Sequence, residues 1–311
     1  SAESFGLFFC LMRCVVFVCV LAVLGNVACD SYYLEANRVG ICTEESPCGT
    51  MQEVLDAAVG DSQIVVYIST GVYTGEGNSD IEFHNVPVTL VGTTGVSFNC
   101  SSSDSTLFSF TNDTYVHGGM IIGNCKVGMA LSRVSSKDLR FDIQDAIFDV
   151  LGIGIEAYPG SLNVHNCRFE SHTKSLSISI QVNVQHYSYI NPMNTSVSVS
   201  SSSFSYVRTI INIEEIDTEA PERIFITDCS FENEAVYLYG SSAVLDSRLH
   251  QIFLDITASQ SKRSTTVRIQ NTTATYSTSA NYGTPCISCR FSGQLTLSDV
   301  EFHHCDVGLE I

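Results

Sequence analysis

The chain contains no tryptophan, and its 311 residues include only six prolines. Long extended ladders are therefore rarely interrupted by a residue without a backbone donor. Basic residues are also scarce: Lys and Arg number 15 against 33 Asp and Glu, a net charge of −18. A surface so acidic repels polyanions, so nucleic acid is not an expected partner. Anionic sugars are disfavoured on the same ground unless calcium bridges the two. No apolar run reaches the ~20 residues that a membrane span needs. What is plentiful is cysteine, at thirteen, which suggests an oxidising compartment.

The N-terminus points the same way. Met12-Arg13 precedes the uncharged run Cys14 to Leu24, and Gly25-Asn-Val-Ala28 supplies small residues before Asp30. This is the layout of a signal peptide over 1–29, cleaved near Ala28 or Cys29. A retained anchor is the other reading, disfavoured by the short run. Residues 1–11 fit poorly ahead of Arg13, and synthesis is expected to begin at Met12. Four glycosylation sequons agree with export: Asn99-Cys-Ser101, Asn112-Asp-Thr114, Asn194-Thr-Ser196 and Asn271-Thr-Thr273. Asn271 is the doubtful one, because an inward side chain at its turn position would deny it a glycan.

The body of the chain repeats one pattern: apolar, any, apolar, any, Asn/Asp/Ser, small or Cys, any, Phe. It is clearest at Ser161-Leu-Asn-Val-His-Asn-Cys-Arg-Phe169, with a further apolar pair at Leu176-Ser-Ile178. Copies start at Phe141, Val197, Ile224 and Leu295, with weaker ones at Met120 and Val267. A two-residue alternation, broken once by a polar turn residue and repeated, marks a solenoid of short strands. The shortest spacing, 21 residues, is a bare coil. The excess elsewhere reads as insertions at 179–196, 205–222 and 275–288, and the interval from 224 to 267 as hiding another coil near Ala243-Val-Leu245.

Coils that hydrogen-bond in parallel lie about 4.8 Å apart, so equivalent side chains stack in columns. Phe148, Phe169, Phe204, Phe231 and Phe302 should form one interior column, with Val127 and Ala274 as its small members. The polar fifth position suits residues that tolerate a left-handed turn. Ahead of the repeats, Cys42 and Cys48 bracket Thr-Glu-Glu-Ser-Pro, the spacing of a local disulfide. A short helix should follow, with Thr50 and Glu53 as a capping box and Met51, Val54, Leu55 and Ala58 on one face. Such a helix would lid the open end of a repeat array.

Thr50-Met-Gln-Glu-Val-Leu-Asp-Ala-Ala58, Gly60-Asp-Ser, the strand Ile64-Val-Val-Tyr-Ile-Ser69 and Gly71-Val-Tyr-Thr-Gly75 resemble the opening of right-handed parallel β-helices of the pectin-lyase-like superfamily. The later apolar-x-apolar-x-Asn-Cys-x-Phe copies are similar to that superfamily's repeat, so the resemblance covers residues 40–311. It implies an all-β, right-handed parallel β-helix with a short N-terminal capping helix over residues 30–311. It implies little about activity, because the superfamily holds lyases, hydrolases, adhesins and inert scaffolds.

Candidate chemistry is sparse. Cys125, Cys167 and Cys229 share the sixth repeat position and read as buried thiols, with a Cys100–Cys125 bridge as the other possibility. Cys286 and Cys289 with His303, His304 and Cys305 lack the second spaced pair of a zinc site. The polygalacturonase-like signature is not met: the chain offers Asn112-Asp-Thr114, no Asp-Asp pair, His117-Gly-Gly119 and Arg268-Ile-Gln270. Asp145, Asp228 and Asp299 share a column, but at the turn position. The one dense acidic run, containing Glu214, Glu215 and Asp217, reads as a solvated loop and a weak calcium candidate.

The expectation is thus a secreted or cell-surface carbohydrate-binding, adhesive or structural module. It has no recognisable catalytic residues and no cofactor beyond possible calcium. Its expected partner is a polysaccharide or another surface protein, and membrane contact would come only through a retained signal or a C-terminal anchor. The alternative is a diverged polysaccharide lyase or glycoside hydrolase. The chain stops inside a strand at Val307-Gly-Leu309-Glu-Ile311, so further coils are expected after it.

Overall fold

The computed structural model describes residues 30–132, 139–157, 160–170, 178–184, 196–205, 209–215, 223–233, 254–258, 265–276, 285–291, 293–303 and 307–310. The fold is an all-β parallel solenoid whose coils each present three strands to three faces. The first face begins with Asp30–Leu34, Ile64–Ile68 and Val88–Gly92 and continues through Arg140–Gln144, Ser161–His165, Ser196–Ser200 and Arg223–Thr227. The second face follows one corner later, with Val96–Asn99, Met120–Gly123, Ile147–Asp149, Arg168–Glu170, Ser203–Ser205 and Ser230–Asn233. In the last two coils the strands Thr265–Tyr276 and Gly293–His303 run through the corner and serve both faces. The third face is a nine-stranded sheet running from Ile81–Phe83 to Val307–Glu310.

The corner between the first two faces shows why the fifth repeat position is polar. Asp145, Asn166, Ser201, Asp228, Asn271 and Asp299 all have left-handed φ, between 47° and 60°. Asn and Asp adopt that conformation at the least cost among residues with a side chain. Asn166 Nδ2 donates to Asp145 Oδ1 at 2.5 Å, and Asn271 Nδ2 donates to Asp228 Oδ1 at 2.6 Å. Asp145, Asp228 and Asp299 are therefore corner residues. One coil earlier the corner is Gly118, with φ 101°. A Cβ there would stand 2.0 Å from the Gly92 carbonyl oxygen, so only glycine fits.

Past the corner, alternation returns the Phe position to the interior. Register aligns Phe148 with Phe169, Phe169 with Phe204 and Phe204 with Phe231, then Phe231 with Ala274 and Ala274 with Phe302. Phe148 and Phe169 stack at 4.8 Å, and Phe169 and Phe204 at 5.0 Å, with rings within 6° of parallel. The first four phenylalanines are fully buried, while Phe302 in the final described coil is half-buried. The third face makes room for the rings. A Cβ on Gly128 would lie 3.1 Å from the Phe148 ring, and one on Gly154 would lie 2.9 Å from Phe169.

Three sequence expectations are corrected. Val127 is not in the phenylalanine column: Ile122 is the residue opposite Phe148, and Val127 lies on the third face beside Thr106 and Ile153. The misreading has a physical source. Asn124 is also left-handed, φ 56°, but it marks the next corner, while the first corner of that coil is the glycine. No coil separates residues 224 and 267, because Ile224 pairs directly with Val267. The extra chain runs between Asn233 and Leu254, and Ala243-Val-Leu245 lies outside the described residues. The intervals read as insertions also hold regular third-face strands, Ile178–Val184, Thr209–Glu215 and Pro285–Phe291.

The N-terminal end is lidded by the helix Met51–Ala57. Both halves of its capping box form: Glu53 N–H donates to Thr50 Oγ1 at 3.3 Å, and Thr50 N–H to Glu53 Oε2 at 3.1 Å. Met51 and Val54 are completely buried against the first coil. Cys42 and Cys48 are disulfide-bonded, with Cα atoms 4.4 Å apart.

Phe169→Ala should lower unfolding free energy by about 3–5 kcal/mol, because neighbouring rungs cannot close the void. Ser203→Ala, on the outer side of the same face, should stay within about 0.5 kcal/mol of wild type. Gly118→Ala should destabilise despite adding only a methyl group. Denaturant melts of the three variants test the inward assignment, which equal losses for Phe169 and Ser203 would overturn.

Candidate functional site

With the apolar columns inside, any function lies on the outward positions of the three faces. On the second face these change along the axis. Ile121, Ile147 and Arg168 stand in consecutive rungs, followed by Ser203, Ser230 and Thr273 and then Glu301. The neighbouring register column runs through Glu170, Ser205, Glu232 and Thr275 to His303. The short hydroxyl residues leave a cleft of about 480 Å³ lined by Arg168, Ser203, Ser205, Ser230, Thr273 and Thr275, with Phe204 and Phe231 beneath. Its ends are ionic: Arg168 pairs with Glu170, and His303 Nε2 lies 3.4 Å from Glu301 Oε2. A hydroxyl both donates and accepts, so Ser203, Ser230 and Thr273 in register, with Ser205 and Thr275 either side of Glu232 in the next column, suit a ligand rich in hydroxyl groups.

The first face presents amides, acids and rings in two outward columns. Tyr115, Asp142 and Asn163 occupy one, and His117, Gln144, His165 and Ser200 the other. Gln144 Nε2 donates to Asp142 Oδ1 at 2.9 Å, and His165 Nδ1 lies 3.0 Å from Ser200 Oγ. These contacts fix the polar groups along the sheet rather than converging them on one point.

The third face shows a grouping invisible in the linear chain. Register places Glu156, Gln181, Asn212 and Asp255 in one row across four consecutive strands. A parallel row holds Asn183, Glu214 and Thr257, followed by Arg290. Glu214 and Glu215 therefore end the strand Thr209–Glu215 and do not belong to a loop. Asp217 lies outside the described residues. Among the described residues no group of three or more His, Cys, Asp or Glu is placed to hold a metal ion; residues 216–222 of the acidic run lie outside them. Sequence reading missed this face because its members come from five coils, and only strand register brings them together.

The sequons differ in their settings. Asn99 is half-buried beside Gly123, and its Ser101 hydroxyl is 2.7 Å from that of Ser79. Asn112 is half-buried, and the Thr114 hydroxyl is buried and donates to the Asn112 carbonyl at 2.9 Å. Asn271 is exposed on the corner ridge, not turned inward, although its amide nitrogen is engaged by Asp228. Asn194 lies outside the described residues, as do residues 1–29, His304 and Cys305.

Cys125 is not a free thiol: it is bonded to Cys100, with Cα atoms 5.2 Å apart. Cys167 and Cys229 are free and buried. Burial pushes the Cys167 thiol up to about 12 and the Cys229 thiol up to about 11. Both stay protonated near neutrality, and a protonated thiol is no nucleophile. They pack as small apolar groups, Cys229 Sγ resting 3.2 Å from the Thr227 carbonyl oxygen.

Raised native pKa values make stability depend on alkali. The unfolded thiols ionise near 9, whereas the native ones hold their protons until about 11–12. This contribution is complete below pH 9 and is lost as pH rises through the native values. Melting temperature should fall over that window, and less steeply in Cys167→Ala/Cys229→Ala. Both thiols should resist iodoacetamide in the native protein and react in denaturant.

Among the described residues no helix is long and apolar enough to cross a membrane, and the two disulfides fit an oxidising setting. No family model matches the chain, and neither a curated protein nor a solved structure does so.

Proposed function

We propose that the chain is an exported binding solenoid of the pectin-lyase-like kind, and that the second-face cleft seats a carbohydrate chain lying along the solenoid axis. The observation that carries this reading is the cleft itself: Ser203, Ser230 and Thr273 in one column, Ser205 and Thr275 in the next on either side of Glu232, and Arg168 at one end. Rungs about 4.8 Å apart repeat a hydroxyl along the axis at Ser203, Ser230 and Thr273, which suits a polymer better than a compact ligand. The leader-like N-terminus, the sequons and the disulfides support export, and the acidic charge favours a neutral polysaccharide over an anionic one.

The third face supports a second reading, a polysaccharide-cleaving enzyme. Glu214 and Asp255 lie on adjacent strands two residues out of register, a backbone separation of about 8 Å from strand spacing and rise. Cleavage of a glycosidic bond uses a pair of carboxylic residues, and these two acids share adjacent strands.

Titration of the purified chain against neutral and anionic polysaccharides, with and without calcium, tests both readings. The binding reading expects saturable retention of a neutral polymer without turnover. Ser230→Tyr, which fills the cleft, should weaken that binding at least tenfold while leaving the melting temperature within a few degrees. Retention unchanged in this variant would remove the cleft from the proposal. Turnover lost in Glu214→Gln or Asp255→Asn would favour the enzyme.

A further inference from the structure

Among the described strands, Asp30–Leu34 pairs with Ile64–Ile68 on one side only. Its other edge would present free backbone donors and acceptors, a template for adding a strand from another chain. That edge is occupied by the loop that Cys42 and Cys48 close. Tyr33 N–H donates to the Cys42 carbonyl at 2.9 Å, and the Tyr33 carbonyl accepts from Cys48 N–H at 2.9 Å. Glu35 N–H donates to the Cys48 carbonyl at 2.8 Å, and Leu34 and Cys48 form an isolated parallel bridge. The two half-cystines thus supply both hydrogen bonds to Tyr33, and their bond keeps the two partners together.

The same end carries most of the exposed apolar side chains. Val39 is 93% exposed and Ile41 74%, both in the loop that leads to Cys42, and Val59, Tyr67 and Val72 follow within the first two coils. Elsewhere among the described residues only Ile121 and Leu297 are exposed large hydrophobics. Exposed apolar groups at the end that carries a guarded edge, Val39 and Ile41 within the guarding loop itself, are the composition of an interaction surface.

We infer that the Cys42–Cys48 loop is a latch over a strand-addition edge, and that opening it lets Asp30–Leu34 pair with the same strand of a second copy. The pairing would be antiparallel about a two-fold axis, Tyr33 N–H and C=O exchanging the loop's bonds for those of the partner copy. Val39 and Ile41 then have an apolar surface to cover. Opening needs a dithiol reductant. Its two thiols lose two electrons and two protons and become a disulfide, while the Cys42–Cys48 bond breaks and two cysteine thiols form.

The test is the mass of the full chain by light scattering, oxidised and after reduction by a dithiol, together with hydrogen exchange at the Tyr33 amide. The oxidised protein should be monomeric with Tyr33 protected. Cys42→Ser/Cys48→Ser should double in mass with Tyr33 still protected, now by the partner copy. Cys100→Ser/Cys125→Ser, which leaves the latch intact, should stay monomeric. Tyr33→Pro in the unlatched background removes the edge donor and should restore the monomer. If Cys42→Ser/Cys48→Ser loses its β-sheet circular dichroism, the reduced wild-type chain supplies the same readout. A reduced or unlatched chain that stays monomeric, or one that dimerises equally with proline at position 33, would overturn the inference.

Discussion

The structure depends on register. Parallel strands joined coil to coil must repeat at the same height, so each residue is stacked on its equivalent in the next coil. Everything that distinguishes this chain follows from keeping that alignment: a corner that turns at the same position each time, an interior in which rings lie face to face, and outward columns that change chemistry slowly along the axis. A shift of one residue in any coil would move its whole apolar set to the surface. The left-handed corner prevents the slip, because Asn, Asp, Ser or Gly at that single position fixes where one face ends and the next begins.

The corner and the core are coupled. Asp145 and Asn166 are bonded across one rung of the ridge, and one residue further on Ala146 and Cys167 lie within the core. The position after the polar corner is cysteine, alanine, serine, threonine or, at Val300, the valine that matches threonine in shape, because the space there is limited and a backbone carbonyl lies nearby. Ser202 and Thr272 meet this requirement by donating to the carbonyls of Ser200 and Gln270. Cys229 places its sulfur beside the equivalent carbonyl of Thr227. A thiol and a hydroxyl are thus interchangeable here, and the buried cysteines need no catalytic or metal-binding role.

The ends of the stack face a different constraint. Interior strands have a neighbour on each side, but the first described strand has one only on the side of Ile64–Ile68, and the chain meets this with a covalently closed loop and a seven-residue helix. The helix covers the open core through Met51 and Val54, while the loop covers the backbone edge through Cys42 and Cys48. Apolar burial and hydrogen-bond satisfaction are handled by separate elements, so one could open while the other holds.

By itself the sequence determined the solenoid, its phenylalanine column, the capping helix and the residues of the corners, because each depends on a local pattern repeated within about ten residues. It misplaced the coil around Met120, where glycine replaces the polar corner marker and Asn124 marks the next corner instead. It also treated third-face strands as insertions, since Ile178–Val184 and Thr209–Glu215 carry no Asn-x-x-Phe signal. Only tertiary structure decided that Cys100 meets Cys125, that Glu214 stands in a row with Asn183 and Thr257, and that Ser203, Ser230 and Thr273 line one cleft. The physical reason is common to all three: these neighbours are one coil apart in space but 25 to 43 residues apart in the chain, and no local preference encodes which coil will stack on which.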